Sequence, residues 1–212
     1  MPLGEGNGRG LLVVLSGPSG VGKGTVVARA MSLRGEGARR LRRSVSVTTR
    51  EVRNGETPGD DYFFVSPRDF ECMVAAGELL EWATYLDHCY GTPAAWVDQQ
   101  LSEGYDVVLE IEVKGAMQVK KRRPDAVLIY MRPPSWAALR RRLAGRKRES
   151  PELQQRRLDV AREEIAHIPE YHYVIVNDRV ERAASLLLAI LAAEHSRVDR
   201  VDLSDWLKAN GV

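Results

Sequence analysis

Residues 11–25, Leu-Leu-Val-Val-Leu-Ser-Gly-Pro-Ser-Gly-Val-Gly-Lys-Gly-Thr, constrain the fold of this chain more than any other stretch. The apolar run Leu11 to Leu15 reads as a buried strand. A glycine-rich turn follows, and then a lysine at the start of a helix. Glycines let the backbone turn tightly and aim successive N–H groups inward, and the helix N-terminus adds partial positive charge. Gly17, Gly22 and Lys23 fill the pattern G-x-x-x-x-G-K. The spacing predicts a phosphate-binding loop made of Gly17, Pro18, Ser19, Gly20, Val21, Gly22, Lys23, Gly24 and Thr25, with Lys23 reaching the β- and γ-phosphates of a nucleoside triphosphate. The residue after such a lysine ordinarily carries a hydroxyl that meets Mg²⁺. Here it is Gly24, and the hydroxyl comes one place later, at Thr25.

Further buried runs alternate with helical segments. Asp106 to Glu112, Ala126 to Met131 and Tyr173 to Val176 read as strands, and helices separate them. This pattern predicts an α/β, P-loop three-layer fold: a parallel sheet with helices on both faces, binding ligands beyond the carboxyl ends of its strands. The core is expected over residues 11–42, 100–134 and 169–196. Residues 43–99 form an α+β insertion with strands at Leu41 to Val47, Asp61 to Val65 and Glu78 to Leu86. A turn is expected at Tyr90-Gly91, and a helix from Thr92-Pro93. Ser66 caps another helix that Pro67 opens and Gly77 ends. Residues 135–168 hold a basic helix that Ser135 caps and that runs to Ala144, an interruption over 145–151, and a further helix from Glu152 to Ile168. Gly35 and Gly37 are expected to end the first helix. Residues 1–10 lack an apolar signal core and read as a flexible leader, and 197–212 as a polar tail with a short amphipathic helix near Leu203, Trp206 and Leu207.

Charge narrows the partners. Lys and Arg number 31 and Asp and Glu 29, so the net charge is +2. That near balance argues against a whole-surface nucleic-acid binder; the positive charge is clustered instead, at 39–43, 120–123, 140–142 and 146–148. No apolar run approaches the roughly 20 residues of a membrane span. The two cysteines, Cys72 and Cys89, have no metal-like spacing and suit a reducing compartment, which places the chain in the cytoplasm. Composition sets no oligomeric state.

A second segment, Ser44 to Glu56 followed by Gly59 to Phe64, offers two arginines three residues apart and a tyrosine hydroxyl further on. Arginine forks match phosphate oxygens bidentately. Taken alone, the segment also reads as a solvated charge run. Beside the phosphate loop stand SVSVTTR-x-x-R-x-GE, DYFFV, EW-A, YGTP, LEIEVKG, PPS, RRRL-x-GR and VIVND, in that order. With these motifs the chain closely resembles the guanylate kinase family from about Leu11 to His195.

The resemblance implies transfer of the γ-phosphoryl group of ATP to GMP with Mg²⁺, giving ADP and GDP in purine nucleotide metabolism. It makes 43–99 the GMP-binding lobe and 135–168 the lid with its flanking helices. By that resemblance Arg50, Arg53, Tyr62 and Tyr90 hold the GMP phosphate, with Glu56 beside them. Ser46, Glu81, Thr92 and Glu112 contact the guanine side. Guanine presents N1–H and its 2-amino group as adjacent donors, which suit an acceptor-only carboxylate. Lys23, Arg142, Arg146 and Arg157 become the cations of the transferring phosphoryl group, and Asn177 falls near the adenine of ATP. Thr25 and Glu110 contact the metal directly or through water. No residue is assigned to the ribose 2′-hydroxyl, so dGMP stands open as a second acceptor.

Three positions depart from the usual pattern. Gly24 takes the place of a hydroxyl residue, Glu110-Ile111-Glu112 stands where Asp-Ile-Asp is common, and Lys147-Arg148 replaces a Gly-Thr-like pair. Two other readings share the loop. A binding module on the same fold would have a degraded phosphate loop, whereas Gly17, Gly22 and Lys23 are intact. A kinase for another phosphorylated acceptor, such as a sugar phosphate, would not need Glu81 and Thr92 together.

Overall fold

The computed structural model describes residues 8–33, 40–85, 87–144, 151–201 and 203–210. The first elements are β1 (Leu12–Ser16), α1 (Lys23–Leu33), β2 (Leu41–Arg43), β3 (Ser46–Thr48), β4 (Tyr62–Phe64), α2 (Pro67–Ala75), β5 (Leu79–Tyr85) and β6 (His88–Pro93). Then come α3 (Ala94–Ser102), β7 (Asp106–Glu110), α4 (Val113–Arg122), β8 (Val127–Arg132), α5 (Trp136–Ala144), α6 (Pro151–Ile165), β9 (Tyr173–Val176), α7 (Val180–His195) and α8 (Ser204–Ala209).

Five strands form a parallel sheet in the order β2-β7-β1-β8-β9. Successive residues of a strand point to opposite faces. Val13 and Leu15 therefore pack with Val26, Val27 and Ala30 of α1 and with Ala183, Leu187 and Leu191 of α7. Leu12 and Val14 pack on the other side with Val97 and Leu101 of α3 and Val113, Ala116 and Val119 of α4. Both faces are covered, which is why these strands read as continuous apolar runs. Each buried valine or leucine among them contributes about 2 kcal/mol. The expected P-loop three-layer α/β fold is the fold observed.

The register lines up the strand ends. Leu15 lies opposite Glu110, Ser16 opposite Tyr130, and Arg132 opposite Val176. The glycine loop, Glu110 and Asn177 thus leave the sheet along one edge.

A second, mixed sheet has the order β4-β3-β6-β5. β3 runs parallel to β4 and antiparallel to β6, and β5 and β6 form a hairpin. Phe70 of α2 packs against Val47 and Leu79 to give this sheet its own small core. Ser66 caps α2 as expected, its hydroxyl accepting from the Asp69 amide at 3.1 Å, with Pro67 in the first turn.

Local differences from the sequence reading have physical causes. The single strand expected over Leu41 to Val47 is two strands in different sheets. The Ser44 amide still bonds to the Val108 carbonyl, and beyond it the chain crosses to pair with β4 and β6. Tyr90-Gly91 is not a turn but the middle of β6. Gly91 is there for close approach: a Cβ would lie 2.8 Å from Leu79 Cδ1 and 3.0 Å from the Glu81 carbonyl. The hairpin reverses near Asp87, at φ 64°. The helix expected from Thr92-Pro93 begins at Ala94, and β7 stops at Glu110, two residues short of the expected end. The tail helix spans Ser204–Ala209. The expected leader (apart from Gly8, Arg9 and Gly10) and the stop at Gly35 and Gly37 lie outside the described residues.

The opposite end of the sheet is pinned by a buried carboxylate. Asp106 opens β7 and is fully buried. Its Oδ1 accepts from the Leu11 amide at 3.0 Å and sits 2.7 Å from His195 Nε2 at the end of α7. Replacing Asp106 by Ala leaves both partners without that acceptor in a dry environment. The expected loss is about 3 kcal/mol of unfolding free energy, read as a lower urea midpoint; an unchanged midpoint contradicts this role.

Candidate functional site

The site starts where β1 meets α1. Gly17 has φ 144°, and a Cβ there would come within 2.0 Å of the Met131 carbonyl, so only glycine lets the loop leave the sheet beside β8. Gly22 has φ 95°, and a Cβ there would come within 2.8 Å of Asn177 Nδ2. The loop's closing residues open α1, whose first amides have no intrahelical partners. Lys23 Nζ donates to the Gly17 carbonyl at 2.6 Å, folding its ammonium back across the loop. Backbone amides, helix end and ammonium together favour a polyanion.

Two side chains from outside the loop brace its backbone at Val21. Asn177, just after β9, donates from Nδ2 to the Val21 carbonyl at 2.8 Å. Arg142 of α5 donates to the same carbonyl at 3.0 Å and to the Asn177 carbonyl at 2.8 Å. Asn177 Oδ1 is buried and meets no donor among the described residues. Arg157 of α6 donates to Ser19 Oγ at 2.6 Å and to the Tyr85 hydroxyl at 3.4 Å. Arg142 and Arg157 are therefore both at the phosphate loop. Arg146, with Lys147 and Arg148, lies outside the described residues.

The second sheet carries the other expected residues. Arg50 is buried, its guanidinium 5.3 Å from the Tyr62 ring centre and 5.7 Å from that of Phe64. It donates to Glu56 Oε1 at 2.7 Å, and Glu56 Oε2 accepts from the Arg53 amide at 2.8 Å. Those hydrogen bonds, the Arg50 one foremost, hold the Glu56 carboxyl below its usual range. Tyr62 and Tyr90 meet edge to face at 6.1 Å. The structure thus brings Arg50, Glu56, Tyr62 and Tyr90 into one cluster, while the Arg53 side chain stays exposed beside it. Ser46 is half-buried on β3.

Glu81 is a buried carboxylate on β5, and Thr92 on β6 donates to its Oε1 at 2.6 Å. Burial pushes the Glu81 carboxyl up from its usual range, and the Thr92 hydrogen bond opposes that in part. Its other oxygen lies against the first turns of α4: a Cβ on Gly115 would be 2.9 Å from Oε2. Glu112 is the exposed N-cap residue of α4 and makes no side-chain cap there.

Glu110 ends β7 beside the loop. Burial raises its carboxyl above the usual range, and the charges of Arg43 and Lys23 pull it back. A Cβ on Gly24 would be 3.2 Å from Glu110 Oε2. Among the described residues no three His, Cys, Asp or Glu side chains converge on a metal site of their own. Hard oxygens are available instead from Thr25, in the first turn of α1, and from the Glu110 carboxylate beside the loop. That donor set fits Mg²⁺, which binds through one or two protein oxygens together with substrate phosphates.

Three contributors escaped the sequence reading. Arg43 pairs with Glu110 at 3.1 Å and was visible only as part of a basic run. Tyr85 meets Arg157 across the two halves of the site, and no spacing signals it. Gly115 was findable: a glycine inside a helical segment marks a packing demand, here the Glu81 carboxylate.

Comparison with known proteins adds a separate line. The family model described as guanylate kinase matches residues 9–194. The guanylate kinase of Lactococcus lactis is 51% identical over 193 residues, covering 91% of this chain and 92% of that protein. The guanylate kinase of Bacillus cereus is 49% identical over 193 residues, covering 91% and 93%. The crystal structure of guanylate kinase from Anaplasma phagocytophilum superposes with a TM-score of 0.72 at 31% identity, covering 96% of each chain.

The burial of Glu81 has a measurable cost. A carboxyl whose folded pKa is raised binds more protons in the native state, so its contribution to stability falls as pH rises from the ordinary glutamate range through the raised value. Above that window the folded protein carries the full penalty of an ionised buried carboxylate. Glu81→Gln should therefore melt higher than the unaltered protein at pH 8, by about 1 kcal/mol. The gap should shrink as pH drops toward 4. A lower melting temperature at pH 8 contradicts the argument.

Proposed function

The chain belongs to the guanylate kinase family, and on that premise we propose that it transfers the γ-phosphoryl group of ATP to GMP, giving ADP and GDP. The observation that carries the reading is the buried Glu81 carboxylate with its Thr92 partner. A buried acceptor of this kind needs donors, and guanine supplies two adjacent ones, N1–H and the 2-amino group. Adenine would turn a lone pair at N1 toward the carboxylate. A site built on hydrogen bonds rejects the wrong partner by roughly 10⁴-fold. Ser46 and Glu112 complete the guanine side. At the other end of GMP, Arg50, Arg53, Tyr62 and Tyr90 hold the phosphate, with Glu56 fixing the Arg50 fork.

The ATP side uses the residues around the loop. Amides of residues 17–25 and the Lys23 ammonium take the phosphate chain. Asn177 Oδ1, buried without a donor among the described residues, suits the 6-amino group of adenine. Thr25 and Glu110 are the residues that would hold Mg²⁺, directly or through water. When bound with ATP, Mg²⁺ neutralises charge on the β- and γ-phosphates.

Transfer needs alignment and charge neutralisation more than proton chemistry. The acceptor oxygen is already anionic, so no general base is required. Lys23, Arg142, Arg146 and Arg157 supply the positive charge that follows the phosphoryl group from ADP to GMP. Arg142 and Arg157 already contact the loop, so closing the helices that bear them brings these charges to the reacting phosphates and excludes water. Exclusion matters because hydrolysis of ATP competes with transfer.

Cys72 and Cys89 form no disulfide, and among the described residues no helix is long and apolar enough to cross a membrane. Both fit work on nucleotides in the reducing cytoplasm.

The test is a coupled ADP-release assay with Mg²⁺·ATP and a panel of acceptors. GMP should support turnover, and AMP, CMP and UMP weak turnover or none. Absence of GMP-dependent turnover sinks the proposal. Glu81→Gln should lower kcat/KM for GMP about 10²-fold, the scale of losing a charge-assisted pair. Retained preference for GMP over AMP in that variant would place base reading elsewhere.

A further inference from the structure

Gly24, Glu110 and Arg43 are distant in sequence and meet at the phosphate loop. Arg43 ends β2, and Glu110 ends β7, its neighbour in the sheet. Arg43 Nε lies 3.1 Å from Glu110 Oε1. Its Nη2 donates to the Gly24 carbonyl in the first turn of α1. A Cβ on residue 24 would lie 3.2 Å from Glu110 Oε2, 4.0 Å from Oε1 and 3.7 Å from Arg43 Nη2. The carboxylate therefore rests against the place where a side chain at position 24 would begin. One planar guanidinium spans both acceptors, a geometry that arginine's fork provides and a lysine ammonium does not.

We propose that these three residues form one unit in which Arg43 is a positioning residue: it fixes the Glu110 carboxylate over Gly24, so that Glu110 supplies beside the loop the oxygen that a hydroxyl at position 24 would otherwise supply. The absent side chain and the long carboxylate are then complementary. Adding a Cβ at position 24 pushes the carboxylate back by a few tenths of an ångström. Shortening Glu110 to Asp draws its oxygens back by about 1.5 Å, one carbon–carbon bond, away from both Arg43 and position 24. The inference rests on the proposal that Mg²⁺·ATP occupies this loop.

Mn²⁺ serves as the probe. Its binding to the full chain with an ATP analogue bearing an imido bridge between β- and γ-phosphates is followed by electron paramagnetic resonance. Arg43→Met should weaken Mn²⁺ binding in that complex about tenfold, the scale of losing a group that orients a metal ligand. The KM for GMP should stay within twofold, since Arg43 lies off the acceptor cluster. Arg43→Lys should recover part of the loss. Gly24→Ala should weaken Mn²⁺ about tenfold in the unaltered background but less than twofold when Glu110 is already Asp. Thermal melting identifies any variant whose loss comes from the fold.

Two results overturn the inference. One is Arg43→Met binding Mn²⁺ as the unaltered protein does. The other is multiplication of the Gly24→Ala and Glu110→Asp effects in the double variant, which shows independent positions. The binding readout does not use GMP turnover. An unaltered protein that phosphorylates GMP while Arg43→Met leaves Mn²⁺ binding intact refutes this inference alone. An unaltered protein that fails to phosphorylate GMP refutes the proposed activity.

Discussion

The parallel hydrogen-bonded register of β1 with β7 and β8 is the constraint on which the site depends. Leu15 opposite Glu110 and Ser16 opposite Tyr130 place three strand ends within one layer of the sheet. A slip of one residue would move every side chain to the opposite packed face, against helices it does not fit, so the packing on both faces fixes this register. Once it is fixed, the glycine loop has one exit, past the Met131 carbonyl. Glu110 and Asn177 arrive beside that exit without further design. The chemistry of the phosphate end is a consequence of sheet packing.

The acceptor end obeys a different rule. It is built on a second sheet with a small core of its own, and its key group is a carboxylate held away from water. Burying Glu81 costs stability at neutral pH, a cost that hydrogen-bond donors on a bound base would offset. The first sheet provides positive potential and tight backbone turns, and the second provides selective acceptors. Helix α4 joins them along β5, where Gln118 bonds both the amide and the carbonyl of Trp82, Arg122 donates to the Leu79 carbonyl, and Leu80 reaches the first sheet's core. Gly115 of α4 against Glu81, and Arg157 of α6 reaching both Ser19 and Tyr85, are further links. Movement of one half relative to the other is therefore felt at the reacting groups.

Much of this was legible in the sequence, for stated reasons. The phosphate loop and the core strands declare themselves because each is a local pattern: apolar run, glycines, lysine. The positions of Arg50, Glu81 and Thr92 were legible through motif order. What was hidden depends on contacts between distant residues. Leu41 to Val47 has one uninterrupted pattern, yet its two ends pair with different sheets. Gly91 looks like a turn residue, and only the closeness of β5 shows that it serves packing. Gly24 and Glu110 each stood out as irregularities, but Arg43, which contacts both from β2, has no sequence signature.

On the proposed function, the phosphate loop and the Glu81–Thr92 pair are two ends of one continuous site for two nucleotides. The most direct measurement is calorimetric titration with a single molecule carrying adenosine and guanosine at opposite ends of one polyphosphate chain. One molecule should bind per chain, more tightly than ATP or GMP alone, with competition by each of them. Two molecules bound per chain, or competition by only one of the two nucleotides, would contradict it.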